Sequence, residues 1–170
     1  MSLDPKFKVS EFPSHISSEF LKEIYNLNQE HTPEVGSLSS IEYLQELIKL
    51  SSNNFYISFK NKIIGFMICF REGSEYKSKN YKFFTKNKSK FLYIDRIAVK
   101  SDYRRNGIGR SLYALISSIA IDKEIPLCCE VNIQPLNQIS IDFHENLGFC
   151  RVGEFAFDDH AVAYFIKEHS

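Results

Sequence analysis

Apolar residues recur along the first half of the chain at two different spacings. In Phe20–Leu27 and Leu44–Ile48 they fall every three or four positions, a helical period, and serines precede each run as candidate caps. Asn54–Lys60 and Ile63–Phe70 are instead dense apolar runs, which predict two strands joined by the short Asn61–Lys62 turn. After an initial strand, the first half is therefore predicted to form two helices and then a hairpin.

The second half continues the alternation of strands and helices. A helix opens at Gly107, a shorter one ends at Gly148, and a hairpin closes the chain. These elements are predicted at Phe91–Val99, Leu112–Ile119, Pro126–Ile133, Ile139–Leu147, Phe149–Phe157 and Ala161–Lys167. The order predicts an α/β protein with a mixed sheet. Because no linker divides the chain, residues 1–170 are expected to form a single domain.

The segment Tyr76–Lys90 contains six lysines and no acidic residue. This composition predicts a solvated loop between two strands, with a flap beside the substrate as the alternative. Aromatic residues at 81, 83 and 84 lie among the lysines, and such mixtures also occur in nucleic-acid-binding surfaces. The whole chain has 21 basic and 21 acidic residues, so a nucleic-acid partner is not predicted.

The composition is that of a folded protein without a global electrostatic field. It is 44% hydrophobic and 25% charged with a formal net charge of zero, which excludes a disordered chain. The longest apolar stretches, Ile63–Phe70 and Tyr113–Ile121, are shorter than the roughly 18 residues that cross a bilayer. Without an apolar signal region at the N-terminus, the protein is expected to be cytoplasmic and not membrane-bound. The four cysteines show neither metal-ligand spacing nor a dense disulfide framework, and the adjacent Cys128 and Cys129 are interpreted as core residues. No metal is expected.

A glycine- and arginine-rich segment carries the strongest chemical signal. It consists of Arg104, Arg105, Asn106, Gly107, Ile108, Gly109, Arg110 and Ser111. Free amides at a helix start, the helix dipole and nearby arginines together favour a phosphate or pyrophosphate site. A tight turn with solvated arginines is the structural alternative. Leu112 replaces the third glycine of a dinucleotide fingerprint, and the Gly-Lys-Ser/Thr ending of a P-loop is missing, so both motifs are disfavoured.

The pattern Arg104-x-x-Gly107-x-Gly109, preceded by Ile97-Ala98-Val99, resembles the signature of the GNAT superfamily of N-acetyltransferases. A second block is similar to the family's later helix: Asn137, Ser140 and the run Phe143-His144-Glu145-Asn146-Leu147-Gly148-Phe149. Glu34–Leu38 and Ile94–Ile97 look like a bacterial branch of that superfamily. The resemblance extends over about 7–166. It implies a mostly antiparallel sheet of six to seven strands, about four flanking helices and a splayed strand pair at a cofactor cleft.

The resemblance also implies acetyl-CoA or coenzyme A as cosubstrate, bound where Phe91–Val99 and Pro126–Ile133 separate. The pantothenate arm would pair with the backbone of Ile97, Ala98 and Val99, and the pyrophosphate would lie on the Arg104–Ser111 segment. Asn137 would contact the pantetheine arm, cap the following helix, or do both. His144 replaces a tyrosine that in many relatives lies beside the thioester and protonates the departing thiolate. It is either that acid or a surface histidine without a role.

The implied reaction is direct attack of a primary amine on the thioester within a ternary complex. Asp95 is the first candidate base, Tyr93 would line the acceptor pocket, and strand alternation is expected to place both on the face that carries Ile97. An ion pair with a neighbour is the alternative role for Asp95. Glu130 is the second candidate base. The acceptor would be a small molecule or a protein amine, and homodimerisation is possible. A non-catalytic acyl-CoA sensor is the alternative function.

Overall fold

Seven strands form one open sheet in the computed structural model, which describes residues 2–169. The strands are β1 (Lys8–Glu11), β2 (Asn53–Phe59), β3 (Lys62–Arg71), β4 (Leu92–Val99), β5 (Leu127–Gln134), β6 (Cys150–Ala156) and β7 (Ala161–Lys167). The α-helices are α1 (Ser18–Gln29), α2 (Ile41–Leu50), α3 (Lys79–Asn87), α4 (Ile108–Asp122) and α5 (Gln138–Asn146). The order in the sheet is β1-β2-β3-β4-β5-β7-β6. Only β4 and β5 run parallel, which confirms the mixed α/β architecture.

Local signals place the first two helices where the sequence predicts them. Ser17 and Ser40 are the N-caps, and each side chain accepts a hydrogen bond from an amide in the first turn. The periodic apolar residues Leu21, Ile24 and Leu27 are buried on one face of α1. The hydrophobic period therefore decides which face of the helix packs on the sheet.

The lysine-rich segment is not the solvated loop that its composition predicts. Ser78 caps α3, and the helix continues to Asn87. Tyr81 and Phe84 are 1% and 0% exposed because they turn into the core between the sheet and the helix. The prediction was wrong because it was based on the lysines, which outnumber the aromatic residues of this segment. The helix is instead determined by Tyr81 and Phe84, which lie three positions apart and therefore on one buried face.

Helices cover both faces of the sheet. Residues of α1, α2 and α3 form one apolar cluster, and α4 packs on the opposite face against residues such as Ile94 and Met67. Cys128 and Cys129 are buried, as expected for core residues; Cys69 is also buried, whereas Cys150 is exposed. Within residues 2–169, no helix combines the length and the apolar character that a bilayer crossing requires.

The sheet opens between β4 and β5. The two strands pair only at Leu92–Leu127 and Tyr93–Cys128, and beyond these pairs β4 continues with β3 while β5 continues with β7. The predicted splayed pair is therefore present. It leaves the second half of each strand with one unpaired edge facing a cleft.

A bulge in β4 changes the direction of its side chains. Arg96 pairs with Ile68 and Ile94 with Cys69, so Asp95 has no partner on β3. Tyr93 and Asp95 share one face, as expected, and it is the face toward α1 and α3, but Ile97 packs into the cluster on the α4 side. The expected common face was wrong for Ile97 because one extra residue reverses the alternation.

Candidate active site

The Arg104–Ser111 segment forms an open loop at the start of α4. Gly107 is the N-cap residue with φ of 76°, and no side chain caps the helix. Among residues 2–169, the amides of residues 105–110 donate to no protein acceptor. A Cβ atom at Gly107 or Gly109 would meet no atom within 4 Å, so the space beside the loop is free. The loop therefore offers unpaired donors and open room to an anion.

The side chains of this loop divide into two groups. The three arginines at 104, 105 and 110 are exposed and form no ion pair within the described part of the chain. Asn106 donates to the carbonyls of Tyr103 and Arg104 at 3.0 and 3.2 Å, and the Ser111 hydroxyl donates to Gly107 at 2.9 Å. The polar side chains thus hold the loop's shape, while the guanidinium groups are free for a ligand.

The cleft beside the loop is bordered by the second half of β4. Ile97, Ala98 and Val99 pair with β3 on one edge and have no strand on the other. Asn137, across the cleft at the start of α5, accepts a hydrogen bond from the Ser140 amide at 3.2 Å and therefore acts as the helix N-cap. The Asn137 side-chain nitrogen donates no hydrogen bond within residues 2–169. It is therefore available for a ligand while the oxygen caps the helix.

Glu130 connects the two splayed strands through a chain of hydrogen bonds. The Tyr93 hydroxyl donates to Glu130 Oε2 at 2.7 Å, and Asn80 Nδ2 of α3 donates to Oε1 at 3.2 Å. The Tyr164 hydroxyl donates to Asn80 Oδ1 at 3.0 Å. Four elements, β4, α3, β5 and β7, therefore fix the position of one carboxyl group.

Burial and, to a smaller extent, the negative charge of Asp95 raise the pKa of Glu130 from 4.5 to about 8. The hydrogen bonds from Tyr93 and Asn80 oppose this shift because they stabilise the carboxylate. A carboxyl group that titrates near neutrality can both accept and release a proton under physiological conditions.

Asp95 is held by two neighbours. Arg96 Nε donates to Asp95 Oδ2 at 2.7 Å, and the Tyr76 hydroxyl donates to Oδ1 at 2.8 Å. The side chains of Asp95 and Arg96 are only 5% and 6% exposed. Both carboxylate oxygens are engaged, which matches the ion-pair role that the sequence left open.

The same arginine fixes the loop between α1 and α2. Arg96 Nη1 donates to Asn28 Oδ1 at 2.8 Å and to the Gly36 carbonyl at 3.1 Å. On the other side of the cleft, Asn132 Nδ2 of β5 donates to the Pro33 carbonyl at 3.2 Å. Residues 30–36 therefore span from β4 to β5 over the splay. Beside them lies a surface cavity of about 370 Å³.

His144 is buried, with 5% of its surface exposed, and is not the surface residue that the sequence left as an alternative. Nδ1 lies 2.7 Å from the Ser140 carbonyl and must donate to it, so Nε2, 2.6 Å from the Tyr113 hydroxyl, accepts from that hydroxyl in the neutral ring. Burial lowers the pKa of His144, which favours this neutral form. Both ring nitrogens already have partners in this arrangement.

The sequence profile of the acetyltransferase (GNAT) family matches residues 21–149. The chain belongs to the GNAT acetyltransferase family. The match runs from the first turn of α1 to the residue before β6 and includes the open loop, the splayed strands and Glu130. No curated protein matches the chain.

Solved GNAT structures share the fold at low sequence identity. The ribosomal-protein-S18-alanine N-acetyltransferase from Escherichia coli is 18% identical over 95% of this chain and 93% of its own, with a TM-score of 0.67. A NatC complex bound to Gag peptide and CoA is 16% identical over 97% and 99%, with a TM-score of 0.73. A GNAT acetyltransferase from Elizabethkingia anophelis with acetyl-CoA bound is 13% identical over 98% and 100%, with a TM-score of 0.66.

Sequence reasoning about this GNAT chain did not identify Asn80, Arg96 or Tyr76 as site residues. Asn80 lies in a segment that was interpreted as a loop. No spacing rule links it to Glu130, which is 50 positions away. Arg96 follows the candidate base directly, but strict alternation would have placed it on the opposite face. Within residues 2–169, no group of three or more histidine, cysteine or acidic side chains is positioned to hold a metal ion.

Proposed function

We propose that this GNAT protein transfers an acetyl group from acetyl-CoA to a primary amine on a polypeptide. The observation that carries the proposal is the combination, at one splay, of an open amide loop, an unpaired strand edge and a carboxyl group with raised pKa. The free amides of residues 105–110 and the three arginines fit a diphosphate. The unpaired edge of Ile97–Val99 suits an extended amide-containing arm, which would add to it like a strand.

Glu130 is the proposed general base. An alkyl ammonium group has a pKa near 10.4 and is not nucleophilic until it loses a proton. The Glu130 carboxylate would take that proton, the amine nitrogen would form a bond to the thioester carbonyl carbon, and the bond to sulfur would break. The departing thiolate would take up the second proton, which the nitrogen loses as it becomes an amide. Tyr93 would hold the carboxylate in position, since its hydroxyl donates to Oε2. Glu130 is preferred over Asp95 because Asp95 is paired with the positively charged Arg96, whereas both hydrogen-bond partners of Glu130 are neutral and its pKa is raised to about 8.

His144 and Tyr113 are proposed to hold the residues on the cofactor side of the site in position. His144 is not proposed to be the only acid in the reaction. Its Nδ1 proton is committed to the Ser140 carbonyl, and its Nε2 accepts from Tyr113. A thiolate with a pKa near 8.5 is a good leaving group that needs little assistance from an acid.

The polypeptide acceptor is proposed from two similar structures, a ribosomal-protein-S18-alanine N-acetyltransferase and a NatC complex bound to a Gag peptide. The loop of residues 30–36, fixed by Arg96 and Asn132, would frame the acceptor side of the cleft. Cofactor delivery from one side and acceptor entry from the other would produce the ternary complex in which attack occurs directly.

The decisive experiment incubates the purified protein with acetyl-CoA and a panel of peptides, polyamines, amino acids and aminoglycosides, with free thiol as the readout. Thiol release with free-amine peptides, and none with N-terminally blocked peptides that lack lysine, is the expected result. Tight binding of acetyl-CoA without thiol release on any amine would overturn the proposed activity and support a sensor. Glu130→Gln is the matched variant, expected to bind acetyl-CoA normally and turn over slowly.

A further inference from the structure

The outer face of α3 carries a stripe of positive charge. Lys79, Lys82 and Lys86 are separated by three and four positions, so their side chains project from one side of the helix. All three are exposed, and none forms an ion pair within residues 2–169. The opposite side of α3 is the one buried by Tyr81 and Phe84. We refer to these three lysines as the α3 stripe.

The α3 stripe begins beside the candidate base. Asn80, next to Lys79 in the first turn, donates to Glu130 and accepts from Tyr164. The ammonium group of Lys79 lies 5.8 Å from the ring centres of Phe155 and Phe157 at the end of β6. The other end of α3 is remote from the site, because Lys88 pairs with Glu168 after β7. The stripe therefore leads away from the place where the acceptor amine would react.

Within α3 this charge is favoured only at Lys86, which lies in the last turn beside the negative end of the helix dipole. The first turn of α3 has no acidic residue, although the helix dipole favours negative charge there. Lysines three and four positions apart also repel each other. Repulsion among these lysines destabilises a helix that is otherwise well capped and packed. An external anionic partner would offset this repulsion.

An acidic polypeptide fits this surface better than a nucleic acid. The aromatic residues between the lysines are not available for stacking on bases, since Tyr81 and Phe84 are buried and Phe83 stacks on Tyr164 at 4.0 Å. Recognition of single-stranded nucleic acid relies on exposed aromatic faces.

We propose that the α3 stripe binds acidic side chains that follow the reacting amine in the acceptor polypeptide. Seven residues separate Lys79 from Lys86, a helical rise of about 10 Å. An extended chain covers that distance with about three residues. The preferred acceptor is therefore a polypeptide with Asp or Glu within the first few residues after its reactive amine. This inference rests on the proposed function and names its substrate class.

The test compares three peptides of equal length with a free N-terminus and the same first residue. The following residues are Asp and Glu in one, Ser and Gln in the second, and Lys in the third. Binding is measured by fluorescence anisotropy of labelled peptides with saturating CoA, and turnover by thiol release. We expect the acidic peptide to bind about tenfold more tightly than the neutral one, with the preference weakening as salt is added.

The variant is the triple substitution Lys79→Gln, Lys82→Gln, Lys86→Gln, and the matched control replaces Lys8, Lys22 and Lys123 with Gln. These control lysines are exposed on other elements. The ratio of acidic to neutral binding should fall to near one in the α3 variant and stay unchanged in the control. Acetyl-CoA affinity, measured in parallel, reports whether the α3 variant is folded. If it is not, the single variants Lys82→Gln and Lys86→Gln replace it.

Equal binding of the three peptides, or a preference that the α3 variant retains, would overturn the inference. Competition by an oligouridylate at lower concentration than the acidic peptide would also overturn it, in favour of a nucleic-acid partner. Absence of thiol release with every peptide would instead overturn the proposed function. The anisotropy measurement still decides the inference in that case, because it requires no turnover.

Discussion

Glu130 is the residue whose surroundings most change its chemistry. Its carboxyl group receives hydrogen bonds from Tyr93 and Asn80, yet burial and the nearby Asp95 charge raise its pKa to about 8. The hydrogen bonds and the burial therefore act in opposite directions, and burial dominates. A base with this pKa is matched to a reaction that must remove a proton near neutral pH.

Glu130→Gln should lower kcat by about 10²- to 10⁴-fold, the usual contribution of a general base, with little change in acetyl-CoA affinity. In the wild-type protein, kcat/KM should rise with pH and level off above about 8, because only the carboxylate accepts the proton. Steady-state kinetics from pH 6 to 9 would check both. A Gln variant with wild-type kcat at every pH would exclude Glu130 as the base.

The raised pKa of Glu130 also predicts how stability depends on pH. Between 4.5 and about 8, the folded protein keeps a proton that the unfolded chain has lost. The stabilising contribution of this proton on Glu130 is therefore complete at low pH and is lost as the pH rises through about 8. The free energy of unfolding, measured with urea, should decrease more between pH 5 and pH 8 for the wild type than for Glu130→Gln. Parallel decreases would contradict this assignment.

Asp95→Asn distinguishes a positioning role from a catalytic one. The substitution leaves the buried Arg96 without its anionic partner, so the free energy of unfolding should fall by about 3 kcal/mol. Because the Asp95 charge raises the pKa of Glu130, the inflection in the pH–rate profile should move to lower pH. Asp102→Asn, at an exposed acid, is the control. Loss of turnover at every pH with unchanged stability would make Asp95 the base.

The sequence identified both candidate carboxylates but could not choose between them. Alternation along β4 is a sound rule, yet the bulge at Asp95 sends Ile97 to the α4 side and turns Arg96 toward α1. A bulge is a property of pairing with β3, so the local sequence of β4 does not reveal it. The Arg96–Asp95 contact, which decides the role of Asp95, follows from that bulge.

At the scale of elements, the open loop before α4 is the feature most completely predicted from sequence. Only a glycine adopts φ of 76° without cost, and the Arg104–Ser111 pattern therefore fixes where the helix begins. α3 shows the opposite case. Its lysines suggested a loop, whereas two buried aromatic residues determine a helix, and such burial depends on the sheet beneath it.

Gly107→Glu should abolish acetyl-CoA binding, because the side chain would enter the open space beside the free amides and bring a negative charge. Gly73→Glu is the matched control, since Gly73 has φ of 80° and is equally free of neighbours within 4 Å. Both variants should lose about 1–2 kcal/mol of stability from the left-handed backbone. Isothermal titration calorimetry should detect acetyl-CoA binding only in the Gly73 variant. Retained binding by Gly107→Glu would contradict the loop assignment.

Phe84→Ala tests whether α3 depends on its buried aromatic face. Removing a fully buried phenylalanine costs about 3–5 kcal/mol, measured by urea unfolding. Phe155→Ala is the control, since Phe155 is 42% exposed and should lose far less. Equal losses in the two variants would mean that α3 does not anchor through Phe84.

At the scale of the whole molecule, all seven strands belong to one sheet, but the pairing between β4 and β5 is broken off after a short stretch. Two residue pairs hold β4 to β5, whereas β3–β4 and β5–β7 pair along most of their lengths. The molecule therefore consists of two well-paired halves joined at one end of a cleft. A ligand that pairs with the free edge of β4 would supply contacts that the protein lacks on its own.

Acetyl-CoA should accordingly stabilise the whole fold and protect specific amides. At a concentration 100 times its Kd, a ligand that binds only the folded state adds about 2.7 kcal/mol. For a domain of this size, that corresponds to a rise in Tm of about 5–10 °C. Hydrogen exchange should slow in residues 97–99 and 105–110, where the unpaired strand edge and the free amides would meet the cofactor. It should not change in β1, which lies at the far edge of the sheet. Stabilisation with protection spread evenly over all strands would instead indicate binding outside the splay.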